Sequence, residues 1–345
     1  MAPNNYDEEE LHPIEIGTEV YDDDTDGESF QSETTTLTSS VFNYVYENGR
    51  RYASDRKSEY LFPNDDKEQE RLDIFHHLWG LVMDGKLYQA PLPAHLRNGG
   101  RVLDLGTGTG IWAIDFGDEN PRMQVLGTDL SAIQPTYVPP NVKFEIDDFS
   151  DDWVYGEKFS YIHARALFGA SVKDWSTIIK KAYDHLVPGG YLEFQEFDLQ
   201  PFSEDNSLPG SHYLTYSDHF QRAGKLLGTR FDITPEDMRE WYEAAGFVDV
   251  EVKKFRVPIG PWPKDPKFKR MGTVIAVASS TGFEAYGLAL FTRVLGMSQE
   301  EARKLIDGAY TEISGKAKVH AVHWFFCIYG RKPTEEEERA RRGKK

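Results

Sequence analysis

Short apolar runs alternate with amphipathic stretches through the middle of this 345-residue chain. Val102 to Leu105, Met123 to Thr128, Val142 to Ile146, Phe159 to His163 and Tyr191 to Phe194 are short and mostly apolar, the pattern of buried strands. Between them, Gly110 to Phe116 opens a helix, and Trp175 to Leu186 reads as a second, stopped by Pro188-Gly189-Gly190. A helical turn fits the stretch before Pro135, and Pro139 and Pro140 break the chain ahead of the third strand. Strands joined by crossovers predict a parallel sheet covered on both faces, an α/β fold.

Ahead of this core, Leu72, Phe75, Leu78, Trp79 and Val82 form one stripe, which predicts a helix from about Lys67 to Met83 capped by Asp65 or Asp66. His76 and His77 lie beside the stripe. Adjacent helical positions point about 100° apart, poor geometry for chelation, so no metal site is expected. Pro91 and Pro93 end this leader, and Asn98-Gly99-Gly100 turns into the first strand. After the fifth strand, 211–228 and 234–245 read as helices, the second with Thr234 as cap and Pro235 at its first position. Gly246 ends it, and Phe247 to Val257 is a strand. A Pro-rich turn runs from Pro258 to Pro266, mostly helical segments fill 267–314, and Val319 to Tyr329 is the last strand. The expected organisation is an arm at 1–40, a helical leader at 41–95, a main domain at 96–333 with the insertion 267–314, and a charged tail at 334–345.

Charge changes the picture at one end. The formal net charge is −18, yet residues 1–40 hold twelve acids and no Lys or Arg, so the remainder carries only −6. Such an arm, rich in Thr and Ser and poor in apolar residues, is expected to be disordered. The acidic balance argues against direct nucleic-acid binding, which needs basic patches. A single cysteine, Cys327 in an apolar run, excludes an internal disulfide and a multi-cysteine zinc site and reads as a buried thiol. No stretch is expected to approach the roughly 18 apolar residues that span a bilayer, so no membrane partner is expected. The opening MAPNNYDEEE lacks the basic and apolar regions of a signal peptide, and cytoplasm or nucleus is the expected location.

The chemistry concentrates in Arg101 to Ile114, RVLDLGTGTGIWAI. Gly106, Gly108 and Gly110, with Thr107 among them, make a strand-to-helix turn whose backbone a ligand can approach closely. Asp104 sits two residues before the first glycine, where a carboxylate suits a cationic group and not a phosphate. Asp129 ends the second strand, the place from which an acid accepts ribose hydroxyls. Asp147, Asp148 and Phe149 end the third strand and offer polar contacts and an apolar face to an adenine. An amine, a ribose and an adenine without a phosphate describe S-adenosylmethionine. NAD is disfavoured by Asp104 and by GTGTG in place of GxGxxG.

These residues carry a family resemblance. The chain resembles a class I, seven-stranded S-adenosylmethionine-dependent methyltransferase, and more narrowly the fungal LaeA-like group of regulators and tailoring enzymes. The segments that carry it are GRRY (Gly49 to Tyr52), Asn64 to His77, Arg101 to Asp115, GTDLSAIQP (Gly127 to Pro135), Pro139 to Asp148, IHARALFGASVKDW (Ile162 to Trp175), LVPGGYLEFQE (Leu186 to Glu196), WPKDP (Trp262 to Pro266) and YGRKP (Tyr329 to Pro333). The resemblance implies a Rossmann-like sheet of order 3-2-1-4-5-7-6 with strand 7 antiparallel, the leader and the 267–314 insertion roofing the site. It also implies that Asp104, Gly106, Gly108 and Gly110 hold the methionine end, that Asp129 takes the ribose with Leu130 nearby, that Asp148 and Phe149 frame the adenine, and that His163 and Arg165 border the sulfonium and the substrate entrance.

Transfer from a sulfonium expels a neutral group, so the protein mainly positions the acceptor and excludes water. Where an acceptor needs a base, the candidates are His163, Glu196, Tyr60, His76 and His77; a carboxylate acceptor would want Arg51 or Arg165. Three readings follow: a small-molecule O- or N-methyltransferase of secondary metabolism, a LaeA-like nuclear regulator working through protein partners, or a methyltransferase fold reused for non-methyl chemistry.

Overall fold

The computed structural model describes residues 12–17, 44–47, 49–53, 62–167, 172–314 and 319–342. In chain order, a hairpin of β1 (Tyr44–Glu47) and β2 (Arg50–Ala53) precedes α1 (Asp66–Val82) and the short α2 (Ala94–Arg97). Then come β3 (Arg101–Leu105), α3 (Ile111–Glu119), β4 (Gln124–Asp129), β5 (Val142–Ile146), β6 (Phe159–Arg165), α4 (Trp175–His185) and β7 (Leu186–Phe197). The second half holds α5 (His212–Leu227), α6 (Pro235–Ala245), β8 (Val248–Ile259), α7 (Pro266–Ala289), α8 (Gln299–Ile313), β9 (Ala321–Arg331) and α9 (Glu335–Arg342).

Seven strands form one sheet in the order β5-β4-β3-β6-β7-β9-β8, with β9 antiparallel to both neighbours. Numbered within the sheet this is 3-2-1-4-5-7-6, the order implied by the resemblance. Burial follows position. Central β6 is buried along nearly its whole length, whereas edge strand β8 alternates between half-buried and exposed over its first half and carries Glu251, Lys253 and Lys254. Charged side chains on an edge discourage pairing with another chain.

Two apolar layers enclose the sheet. On one face, Ile178 and Ile179 of α4 and Met238 and Tyr242 of α6 join Leu103, Ile162 and Phe194. On the other, Trp112 and Phe116 of α3 join Leu92, Leu96, Val102, Val125 and Tyr161. A third core, built from α5, α7 and α8, covers Ile259 and Ala321. Because Phe197 pairs with Phe325, Ala321 lies beyond the carboxyl end of β7, so this third core caps the end of the sheet where ligands of open α/β sheets bind.

The local signals act as their chemistry requires. Asp65 caps α1 by accepting from the Glu68 N–H. Thr234 and Asp237 form a capping box ahead of Pro235, and Gly246 closes α6 in the left-handed region. In WPKDP, Asp265 accepts from the N–H groups of Lys267 and Phe268, with Pro266 at the first position of α7.

Three expectations are corrected. Residues 12–17 of the arm, expected to be disordered, run extended against this same motif: Ile14 is buried, Ile16 pairs with Pro263, and the Gly17 N–H donates to the Trp262 carbonyl at 2.6 Å. A few apolar side chains and a β-bridge suffice to anchor them; the rest of 1–40 lies outside the described residues. The leader, expected to be helical from residue 41, opens with the hairpin of β1 and β2, while the charged tail keeps its charge as a helix, α9, from Glu335 to Arg342. Finally, Pro266–Val294, which is α7 with a π-helical continuation, is long and apolar enough by composition to cross a bilayer. Over half of its apolar window is buried between α1, α5 and α8, and that burial accounts for its composition.

Candidate functional site

The turn between β3 and α3 holds Gly106, Gly108 and Gly110 at φ of 62°, 59° and 80°. Only glycine adopts such angles at little cost. The Gly108 N–H donates to Asp129 Oδ2 at 2.8 Å, and the Ser131 N–H donates to Oδ1 at 2.9 Å. Asp129 is thereby fixed at the carboxyl end of β4, its half-buried carboxylate opening onto a cavity. Desolvation raises its pKa to about 6, against the opposing effect of the backbone hydrogen bonds.

Beneath the turn, the Thr107 hydroxyl donates to Asp104 Oδ2 at 2.6 Å, and His163 Nδ1 lies 2.7 Å from Oδ1. The imidazole stacks on Trp112 with centroids 3.6 Å apart and planes 6° apart. This layer is buried and supports the turn from below.

The cavity above the turn measures about 140 Å³ and is lined by Gly106, Gly108, Asp129, Leu130, Ser131, Asp148, Phe149 and Arg165 from the sheet. Its roof is the segment from Phe62 to Phe75. Arg50 donates to Asp65 through Nε at 2.6 Å and Nη2 at 3.0 Å, Arg51 donates to the Asn64 carbonyl at 2.6 Å, and Asn64 Nδ2 donates to Ser131 Oγ at 3.2 Å. The GRRY and Asn64 motifs are therefore the two halves of one staple that holds the roof over β4.

A second chamber, of similar size at about 120 Å³, adjoins the first. Their walls differ in chemistry. The second is lined mainly by aromatic and aliphatic side chains, among them Phe197, Tyr213, Tyr216, Phe220, Ile275, Phe283 and Phe325. Arg71, Phe75, Ala166 and Tyr286 line both cavities. Arg71 is buried, forms a bidentate pair with Glu68 at 2.7 and 3.0 Å, and donates to the Tyr286 hydroxyl at 2.6 Å.

A family model described as a methyltransferase domain matches residues 56–252. Methyltransferase pytC of Aspergillus terreus is 40% identical over 322 residues, 93% of this chain and 96% of pytC. The chain belongs to the S-adenosylmethionine-dependent methyltransferases. Secondary metabolism regulator LAE1 of Cochliobolus heterostrophus is 35% identical over 302 residues, 85% of this chain and 96% of LAE1. Among solved structures, phosphoethanolamine N-methyltransferase 2 of Haemonchus contortus in complex with S-adenosyl-L-methionine is 19% identical, covers 76% of this chain and 57% of its own, and superposes with a TM-score of 0.42. That likeness is too distant to carry an argument about the site.

The cofactor of this methyltransferase is S-adenosylmethionine, and the first cavity fits it. Glycine at 106 lets the turn lie close against the cavity wall, since a Cβ there would stand 2.5 Å from Leu167 Cδ2. The Asp129 carboxylate offers acceptors to a ribose diol, Phe149 and Leu130 offer apolar surface to an adenine, and Arg165 offers a cation to the methionine carboxylate.

Of the residues expected to hold cofactor, this methyltransferase brings Gly106, Gly108, Asp129, Leu130, Asp148 and Phe149 to the cavity, together with Arg165. Five others are corrected. Asp104 and Thr107 satisfy each other beneath the turn and do not line it. Gly110 packs on the Phe144 ring, where a Cβ would come within 2.3 Å. Asp147 accepts from the Tyr155 hydroxyl at 3.0 Å and turns away. His163 is fully buried in the supporting layer and lines neither cavity.

The catalytic candidates fare worse, for physical reasons. His163 has no solvent path to an acceptor. Glu196 is fully buried and accepts from the Leu167 N–H at 2.7 Å, holding the chain after β6. His77 lies on the exposed side of α1. His76 accepts from Arg165 through Nδ1 and so donates through Nε2 to Asp115, both at 2.9 Å. Burial lowers the His76 pKa and lowers that of Arg165 to about 10, leaving a neutral imidazole that orients a cation. Arg165 only donates and cannot serve as a base. Arg51 is engaged in the roof. Tyr60 lies outside the described residues.

Two groups that sequence reasoning missed stand out. Arg71 and Glu68 sit on the apolar face of α1, where a charge at i−4 and i−7 from Phe75 was a readable anomaly. Tyr213 and His323, hydrogen-bonded 2.6 Å apart in the second chamber, are 110 residues apart in the chain, and no local pattern joins them.

Proposed function

We propose that this methyltransferase methylates a small, largely apolar aromatic acceptor of secondary metabolism at oxygen or nitrogen. The observation that carries the reading is the wall shared by the two cavities, Arg71, Phe75, Ala166 and Tyr286, which sets an aromatic chamber directly against the cofactor cavity. S-adenosylmethionine supplies a methyl group on a positive sulfonium and leaves as a neutral thioether. The chain's own work is therefore positional. The stapled roof and the third core exclude water, the aromatic walls orient a flat acceptor, and the shared wall sets where its reacting atom lies. The name of pytC supports an enzyme, and that of LAE1 supports a link to secondary metabolism.

A fungal metabolite extract incubated with the protein and S-adenosylmethionine tests this reading. S-adenosylhomocysteine should accumulate above the extract-free rate. Ala278→Phe, which fills the second chamber, should abolish that accumulation and leave cofactor binding intact. Equal accumulation in the filled variant would remove the second chamber as the acceptor site.

The likeness to LAE1 supports a second reading, a regulator acting through protein partners in the nucleus. A stable protein complex that survives Ala278→Phe, with no turnover in any extract, would favour it.

A further inference from the structure

The hydrogen-bond polarity of the second chamber is set by its walls. His323 Nδ1 faces the Asp198 carbonyl, which can only accept, so Nδ1 carries the proton. Burial lowers the His323 pKa to about 4, so the ring is neutral and Nε2 is bare. The Tyr213 hydroxyl, 2.6 Å from Nε2, must donate to it. What Tyr213 has left for the chamber is lone pairs. Tyr286 is the opposite case. Arg71 Nη2 can only donate, so the Tyr286 oxygen accepts, and its own hydrogen is left for a third group at the shared wall. Two further chamber hydroxyls are engaged with the backbone: Tyr216 donates to the Phe283 carbonyl at 3.0 Å and Ser217 to the Leu199 carbonyl at 2.7 Å.

We propose that the acceptor is a hydroxyaryl compound read at two points: an O–H donates to Tyr213, and a second oxygen, at the wall shared with the cofactor cavity, accepts from Tyr286. The aromatic walls take the ring. The oxygen at Tyr286 is the one placed to receive the methyl group: it gives up its own proton to solvent before the acceptor is enclosed, the phenolate held by the Tyr286 hydrogen bond forms the new O–CH3 bond as the S–CH3 bond of S-adenosylmethionine breaks, and neutral S-adenosylhomocysteine leaves. Arg71, already paired with Glu68, positions the Tyr286 hydroxyl and does not itself supply an unpaired charge. This inference rests on the acceptor-site reading above and adds the functional groups that site selects.

The test is calorimetry on the full chain saturated with S-adenosylhomocysteine, using 2,6-dihydroxynaphthalene and naphthalene as probes. The wild type should bind the diol about tenfold or more tighter than the hydrocarbon, since one hydrogen bond of about 1.4 kcal/mol is tenfold. Tyr213→Phe and Tyr286→Phe should each weaken the diol by about tenfold and leave naphthalene unchanged, and Tyr213→Phe, which lines the second chamber alone, should also leave S-adenosylhomocysteine unchanged. Equal wild-type affinity for the two probes, no binding of the diol, or diol affinity untouched by both variants overturns the inference. The wild-type comparison decides even if a variant fails to fold. Hydroxyl-dependent binding without turnover in any extract would count against the enzymatic reading alone, and turnover without hydroxyl dependence against this inference alone.

Discussion

Asp129 Oδ2 accepts the Gly108 N–H at 2.8 Å, joining the end of β4 to the glycine turn that follows β3. The same carboxylate faces the cofactor cavity, so its protonation state couples turn geometry to ligand affinity. Its pKa is raised from 3.8 to about 6 in the fold. The folded state therefore binds this proton more readily than the unfolded state. The associated stability is present below about pH 3.8 and is lost as pH rises through about 6. Cofactor binding runs the other way, because ribose hydroxyls donate and prefer the ionised form. Affinity for S-adenosylhomocysteine should rise between pH 5 and roughly pH 7 and then level off, with proton release on binding. Asp129→Asn should bind weakly and independently of pH in that range. Calorimetry in buffers of different ionisation enthalpy measures both, and a pH-independent wild type would refute the coupling.

The Asp104–His163 pair should behave as structure, not as catalyst. Asp104→Ala leaves the Thr107 hydroxyl and the His163 ring without their partner in a buried layer, at a cost of about 2–4 kcal/mol. His163→Ala removes a ring stacked on Trp112 and should cost a similar amount, about 2–4 kcal/mol. Denaturant unfolding should show both losses. The pH–rate profile of the folded fraction should keep its shape in the His163 variant. A stable His163→Ala protein whose profile has lost its acid-side limb would restore His163 as a base.

How far the sequence carries the fold is visible in these residues. The five core strands and the glycine turn are legible because buried parallel strands read as apolar runs and a tight ligand-facing turn needs glycine. Gly108 is legible as part of the glycine turn, and Asp129 because it stands at a strand end. His163 was misplaced because a strand-end position does not say whether a side chain points up to the cavity or sideways into the layer below. The second chamber was illegible. Its wall combines α1, α5, α7 and β9, and the pairing of Tyr213 with His323 or of Arg71 with Tyr286 spans more than 100 residues. The hairpin β1–β2 is not legible because the links that tie it to the roof are polar and pairwise: Arg50 acts through Asp65 and Arg51 through Asn64.

That staple makes its own prediction. Arg50 is buried and bidentate on Asp65, whose other task is to cap α1. Arg50→Ala releases the hairpin and removes a shielded ion pair, a change of about 1–3 kcal/mol in the local opening of the roof. The dissociation rate of S-adenosylhomocysteine should rise several-fold in stopped-flow measurements, and amide exchange should quicken across 62–75. The core strands should keep their protection. An unchanged dissociation rate would show that the staple does not hold the roof.

Gly106 separates stability from binding. At φ 62° a side chain costs about 1–2 kcal/mol in backbone strain alone, and a Cβ would stand 2.5 Å from Leu167 Cδ2. The nearby atom is the tip of a side chain, so the clash can be relieved. Leu167 also belongs to the core that includes Ile162 and Phe194, so relief by truncation has its own cost. Gly106→Ala should lower the melting temperature, and adding Leu167→Ala should recover less than the strain-free value, because the positive φ and the new cavity both remain. Affinity should not recover at all. The new methyl still occupies the wall where the cofactor approaches the backbone, and removing Leu167 does not move it. Thermal unfolding and S-adenosylhomocysteine calorimetry on the single and double variants separate the two effects. Recovery of wild-type affinity in the double variant would show that Gly106 is required for packing against Leu167 and not for room at the cofactor.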